Sequence, residues 1–125
     1  MTENEISKEI VEVCYYIHKK FGPGLYESVY EQLLAFELRK RNLVVVQQLE
    51  VDLVHNEFVL EKAFRADLII NEKVIIEIKS VEELKDVHYK QVLTYLKLTG
   101  LKLGLLINFN VPLIKDGIHR VVNKL

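Results

Sequence analysis

The stretch Phe64-Arg65-Ala66-Asp67-Leu68-Ile69-Ile70-Asn71-Glu72-Lys73-Val74-Ile75-Ile76-Glu77-Ile78-Lys79 decides how the rest of the chain is read. Two short apolar runs flank a polar turn at Asn71 and Glu72, which is the pattern of a β-hairpin. Charges interrupt both runs: Asp67 in the first, Glu77 and Lys79 in the second. Side chains alternate along a strand, so Glu77 and Lys79 share one face while Ile76 and Ile78 share the other. Two carboxylates and an ammonium are costly to bury in a sheet unless they pair with one another or hold a metal. The cluster is therefore a candidate functional site. Loop length sets its register. A two-residue loop would put Asp67 opposite Ile76, whereas a three-residue loop (Asn71, Glu72, Lys73) puts it opposite Glu77. The reading predicts the three-residue loop or a bulge.

Upstream of the hairpin, Val44 to Val54 reads as a strand, His55-Asn56-Glu57 as a turn and Phe58 to Ile70 as a longer strand. Further upstream, Thr2 and Glu5 have capping-box spacing. Ile6, Ile10, Val13, Cys14, Ile17 and Phe21 follow at helical spacing, and Cys14 falls on the apolar face, where it reads as a small buried hydrophobe. Phe21-Gly22-Pro23-Gly24 stops that helix. A second helix is predicted from Leu25 to Arg41, with two neighbouring apolar stripes, as expected of a helix wedged between other elements. Glu27, Tyr30 and Glu31 lie three or four residues apart on it. Glu27 in the first turn also complements the helix dipole, so spacing alone leaves its role open between cap and ligand.

Downstream, Ser80 to Lys85 is a loop and Asp86 to Leu98 a helix that stops before Gly100. Leu103 to Phe109 is an almost unbroken apolar run, as in a strand buried on both faces. Strand, helix and buried strand make a crossover unit, so this strand should run parallel to Val74–Lys79. Ile118 to Val122 is a last strand, expected at an edge. The sum is an α/β fold: a mixed sheet with helices on both faces.

The 125 residues have the length of one domain, expected to span 1–125. Half are hydrophobic, so a core can form. No apolar stretch approaches the ~20 residues of a membrane span. The N-terminus lacks the pattern of a signal peptide. A single cysteine excludes an internal disulfide and a cysteine zinc site, and a reducing, cytoplasmic setting is expected. The net charge of −1 does not advertise a nucleic-acid binder, although a local basic surface is what matters.

Asp67, nine residues, then Glu77-Ile78-Lys79 is an Asp…Glu-x-Lys pattern on adjacent strands. It resembles the PD-(D/E)XK nuclease superfamily, with Ala66 standing where the name has proline. Gly24-Leu25-Tyr26-Glu27-Ser28-Val29-Tyr30 is similar to the signature of the small GxxExxY proteins of that superfamily. Gln91-Val92-Leu93-Thr94-Tyr95 is similar to the Gln-x-x-x-Tyr of exonuclease-type members, and Asn108-Phe109 also looks like the GxxExxY subgroup. The resemblance implies a restriction-endonuclease-like αβββαβ core with an extra N-terminal helix and a C-terminal edge strand. It implies Mg²⁺ or Mn²⁺ as cofactor, a nucleic acid, DNA first, as partner, and Glu27, Asp67, Glu77 and Lys79 as catalytic residues.

The chemistry is consistent with that implication. Phosphodiester cleavage needs an in-line water and stabilisation of charge on the attacked phosphate. Mg²⁺ favours oxygen ligands, commonly one or two carboxylates with water and phosphate. Asp67 and Glu77 supply that pair, and Glu27 adds a third carboxylate, direct or through water. Lys79 orients or deprotonates the attacking water, or stabilises the transition state. The competing explanation is a buried Lys79–Glu77–Asp67 ion-pair network without metal. Gln91 and Tyr95 share a helix face and are expected near the metal, against the alternative of a core-edge aromatic with a solvated neighbour. Tyr30 is a supporting or substrate-binding candidate. Arg65 either neutralises Asp67 or reaches a phosphate, and His88 touches a phosphate or is simply a partly exposed helix residue. The rival to an enzyme is a nuclease-derived binding or structural module whose carboxylates no longer turn over substrate, or a chain whose protein partner supplies nucleic-acid affinity; a homodimer would bring two sites to one duplex.

Overall fold

The computed structural model describes residues 1–125. Helix α1 spans Glu3–Phe21 and α2 Glu27–Lys40; strands β1 (Val45–His55), β2 (Phe58–Ile70) and β3 (Val74–Lys79) follow. Helix α3 (Asp86–Thr99) leads to β4 (Leu103–Asn108), a 3-10 turn at Ile114–Asp116 and β5 (Ile118–Val122). The five strands form one sheet in sequence order. All neighbours are antiparallel except β3 and β4, which the α3 crossover makes parallel, and β5 lies at the edge, both as the pattern predicts.

Thr2 and Glu5 form the expected capping box on α1 (2.9 and 3.2 Å). Helix α2 starts two residues later than expected because Tyr26 is its extended N-cap residue, held by no side-chain cap. Both helices pack on one face of the sheet over the larger core, which takes Leu68 and Ile70 of β2, Val74, Ile76 and Ile78 of β3, and Leu103, Leu105 and Ile107 of β4. Cys14 is buried in it, and burial pushes its thiol well above the ordinary range, so it behaves as the small hydrophobe the spacing implies.

Helix α3 covers the opposite face over a smaller core of Ala66, Ile69, Ile75 and Leu96, with Tyr95 packed against it. Its approach is set by Gly104, where a Cβ would lie 2.5 Å from Cγ1 of Val92. By alternation from Ile75, Glu77 and Lys79 fall on this α3 face. The fold thus brings β3's charged residues under the crossover helix.

The β1–β2 hairpin is much longer than β3, so its outer half extends past the sheet, leaving Val54, Phe58, Val59 and Leu60 exposed. A bulge marks that region: Lys62 turns to a left-handed φ of +54° and its backbone N–H donates to the Asp52 carboxylate (3.0 Å).

Candidate active site

The loop between β2 and β3 has three residues, as the register argument requires. Ile70 pairs with Val74, Ile69 with Ile75 and Leu68 with Ile76, so the next position along the ladder sets Asp67 beside Glu77. Asn71 and Glu72 both take left-handed φ (+51° and +57°), and Lys73 N–H closes the turn on the Ile70 carbonyl (3.0 Å). Asn71 suits such a conformation, and its side chain accepts from Val44 N–H (2.8 Å), tying the turn to the start of β1.

Hydrogen bonds fix the acid pair to its strands. Asp67 Oδ2 accepts from Ile78 N–H (2.9 Å), and Glu77 Oε1 accepts from Asp67 N–H (3.3 Å). Glu77 is 6% exposed. Burial, reinforced by the neighbouring Asp67 carboxylate, pushes its pKa from the ordinary 4.5 to about 9, and Lys79 offsets this only weakly. Two carboxyls this close cannot both ionise without a compensating cation.

The cation at hand does not supply it. Lys79 is half-buried and takes part in none of the ion pairs, all of which lie elsewhere on the surface. The buried Lys79–Glu77–Asp67 ion-pair network that competed with a metal site is therefore not formed. Arg65 is exposed and likewise unpaired, so it does not neutralise Asp67. Adjacent oxygen donors that no internal cation pairs, and that ionise together only with one, fit a hard divalent cation.

Gln91 and Tyr95 meet on α3, with Gln91 Nε2 donating to the Tyr95 hydroxyl (2.7 Å). Tyr95 stacks on Phe64 of β2, ring centroids 4.0 Å apart. Its hydroxyl is held above the ordinary pKa first by burial and then by the charges of Glu77 and Asp67, which places it in the electrostatic reach of the pair. Tyr95 thus lies on the same side of the sheet as the acid pair.

Glu27 is exposed at the start of α2, and its Oε2 accepts from Ser80 N–H (3.1 Å), immediately beyond β3. Ser80 Oγ returns a hydrogen bond to the Leu25 carbonyl (2.7 Å), so the helix start and the strand end are clamped together. Glu27 does not join Asp67 and Glu77 as a direct third ligand: no three His, Cys, Asp or Glu side chains lie close enough to hold an ion together. Its carboxylate is committed to the backbone of Ser80 instead. It lines an open cleft of about 620 Å³ with Gly24, Leu25, Tyr26, Ser28, Ser80 and Asn110; Asp67 and Glu77 do not line it.

Two supporting candidates have structural roles. Tyr30 is fully buried, stacked on Phe109 at 4.2 Å, and its hydroxyl donates to the Gly22 carbonyl (2.6 Å) and accepts from Leu25 N–H (3.2 Å). It cannot touch a substrate; it fixes the turn that presents Glu27. His88 Nδ1 accepts from Lys85 N–H (3.0 Å) at the start of α3, so this side of the ring serves as a cap.

Three residues near the site have roles that the sequence pattern does not reveal: Asn108 and Glu31, which it marks without a partner, and Gln48, which it does not mark at all. Asn108, buried at the end of β4, holds the loop after β3 through Val81 N–H (3.1 Å) and the Val81 carbonyl (2.9 Å), a function its apolar neighbours do not advertise. Glu31, one turn after Glu27, is buried against the amides of Gln47 (3.1 Å) and Gln48. Helical spacing relates Glu31 to Glu27 but gives no hint of its partners. Gln48 also reaches Asp67 Oδ1 (3.3 Å), and no local signal in an ordinary strand sequence foretells it.

With this geometry in place, the comparison with known families is direct. The chain belongs to the PD-(D/E)XK nuclease superfamily, whose family model matches residues 4–121. No curated protein and no solved structure matches it. The mixed five-stranded sheet with three flanking helices is the restriction-endonuclease-like architecture of that superfamily. Its members are nucleases, which implies a nucleic-acid substrate, and they generally use divalent metal ions. No helix is long and apolar enough to cross a membrane.

Proposed function

We propose that this protein is a metal-dependent phosphodiester hydrolase of the GxxExxY type, acting on nucleic acid with DNA as the preferred substrate and Mg²⁺ or Mn²⁺ as the ion. One observation carries the reading: Asp67 and Glu77 stand side by side, hydrogen-bonded to each other's strands, with Lys79 on their face but paired to neither. An acid pair that its neighbouring lysine leaves open is suited to a cation and a phosphate.

Asp67 and Glu77 would hold the ion. When bound, it supplies charge neutralisation at the phosphate and a more acidic water. The uncommitted Lys79 ammonium is suited to orienting the attacking water or to stabilising charge on the phosphate as that water adds. Tyr95, steadied by Gln91 and Phe64, borders the acids from α3. Glu27 at the carboxyl end of β3 flanks the cleft through which a strand could approach, and the exposed Arg65 supplies a cation for its backbone. Ligands of open α/β sheets bind beyond this end of parallel strands.

The net charge of −1 and the separation of Glu27 from the acid pair favour a second reading, a nuclease-derived binding module. Labelled single-stranded, duplex and branched DNA, and RNA, incubated with Mg²⁺, Mn²⁺ or EDTA, separate the two. Cleavage by the wild type that requires metal and is lost in both Asp67→Ala and Lys79→Ala is the expected result. Binding without cleavage under every metal condition supports the module.

A further inference from the structure

Gln48 lies in the interior of β1, between Gln47, which pairs with Leu68, and Leu49, which pairs with Ala66, so it stands across the ladder from Asp67. Its φ is +52°, a left-handed value that a residue with a side chain seldom takes inside a strand. That departure has a visible consequence. Consecutive strand residues send their side chains to opposite faces, yet both Gln47 and Gln48 converge on the single carboxylate of Glu31, one on each oxygen. Reversing φ at Gln48 is what lets two neighbours meet one partner. Its Nε2 then also touches Asp67 Oδ1 at 3.3 Å. Both acceptors are carboxylate oxygens, so the amide nitrogen must be the end that faces them.

The result is a chain of contacts from α2 to the acid pair. Glu31 is 7% exposed, has no cationic partner, and is satisfied by the two glutamines. Asp67 receives one hydrogen bond on each oxygen, from Ile78 N–H on Oδ2 and from Gln48 on Oδ1. The backbone contact alone leaves the carboxylate free to rotate about it, and the second contact fixes that rotation. A left-handed residue inside a strand is tolerated where the surroundings demand it, and such strain gathers at functional sites.

We infer that Gln48, gripped by Glu31, is a positioning residue that sets the orientation in which the Asp67 carboxylate presents itself to a divalent ion. The inference rests on the metal-dependent reading above. Partners that orient metal-binding carboxylates typically cost about 10–100-fold in metal affinity or activity when removed.

The test pairs Gln48→Met, which keeps length without the amide, with Gln48→Gly, which loses the amide but welcomes a left-handed φ. Gln47→Met is the control, since Gln47 touches Glu31 but not Asp67. Mn²⁺ affinity is measured by calorimetry on the full chain, beside thermal stability and the Mn²⁺ dependence of cleavage. The expected result is Mn²⁺ affinity weakened by roughly tenfold or more in both Gln48 variants, with the glycine variant as stable as wild type or more so. Gln47→Met should bind Mn²⁺ as wild type does. A merely structural Gln48 predicts changes in stability alone; wild-type Mn²⁺ affinity in both Gln48 variants overturns the inference and leaves the enzyme reading standing. A wild-type protein that neither binds Mn²⁺ nor cleaves overturns both together.

Discussion

Two places in this molecule hold two carboxylates and one cation, and they handle them in opposite ways. On the surface, the Arg41 guanidinium bonds Glu9 and reaches Glu12 at 3.5 Å, and the contact with Glu9 raises the pKa of an arginine that is already always charged. On the sheet, Asp67 and Glu77 share a site with Lys79, yet the lysine pairs with neither and Glu77 is pushed up to about 9. The exposed carboxylates are paired with their cation where water already screens them. The buried carboxyls are left without a paired cation where its absence is most costly, and Glu77 holds its proton instead. On the proposed function, the open pair is what a divalent ion would fill.

The largest effect that would sharpen the contrast is on cleavage. Removing either member of the unbalanced site, in Asp67→Ala or Lys79→Ala, should lower metal-dependent turnover by about 10²–10³-fold, measured on labelled DNA. Arg41→Met should leave turnover unchanged. Equal loss in all three would mean that the two clusters do not differ in kind.

The next effect is on stability against pH. Glu77's pKa is raised on folding, so its favourable contribution is complete below about 4.5 and is lost as pH rises towards 9. Wild-type melting temperature should therefore decline across that window beyond the change seen in Glu77→Gln, whose amide resembles the protonated acid. A divalent ion should oppose the decline at the alkaline end, because it binds the ionised pair. Parallel pH profiles for wild type and Glu77→Gln would contradict the burial argument.

A smaller change is expected at the packing that brings α3 over the acids. Gly104→Ala puts a methyl against Val92 and should cost about 1–3 kcal/mol by denaturant unfolding. The smallest change belongs to the surface group: Arg41→Met should cost no more than ~1 kcal/mol, and added salt should erase the difference.

The part of this account legible in the sequence is the part governed by local rules. Period-two alternation and the three polar residues Asn71, Glu72 and Lys73 fixed the register, and with it the meeting of Asp67 and Glu77. The apolar run from Leu103 marked the buried parallel strand. The Gln91–Tyr95 contact followed from helical spacing. What remained hidden depends on tertiary context. No pattern shows that Lys79 stays unpaired, that Ser80 draws the Glu27 carboxylate to the end of β3, or that Tyr30 is a buried pillar against Phe109. Gln48 is the extreme case, because its left-handed backbone contradicts the propensity of the strand that contains it.

The most direct test of the central claim is a calorimetric Mn²⁺ titration of the wild type, Asp67→Asn and Glu77→Gln at neutral pH. The unbalanced pair predicts saturable binding by the wild type with release of protons, as Glu77 gives up its own to the ion, and loss of that binding in both variants. Absence of binding to the wild type, or binding that neither substitution weakens, would contradict it.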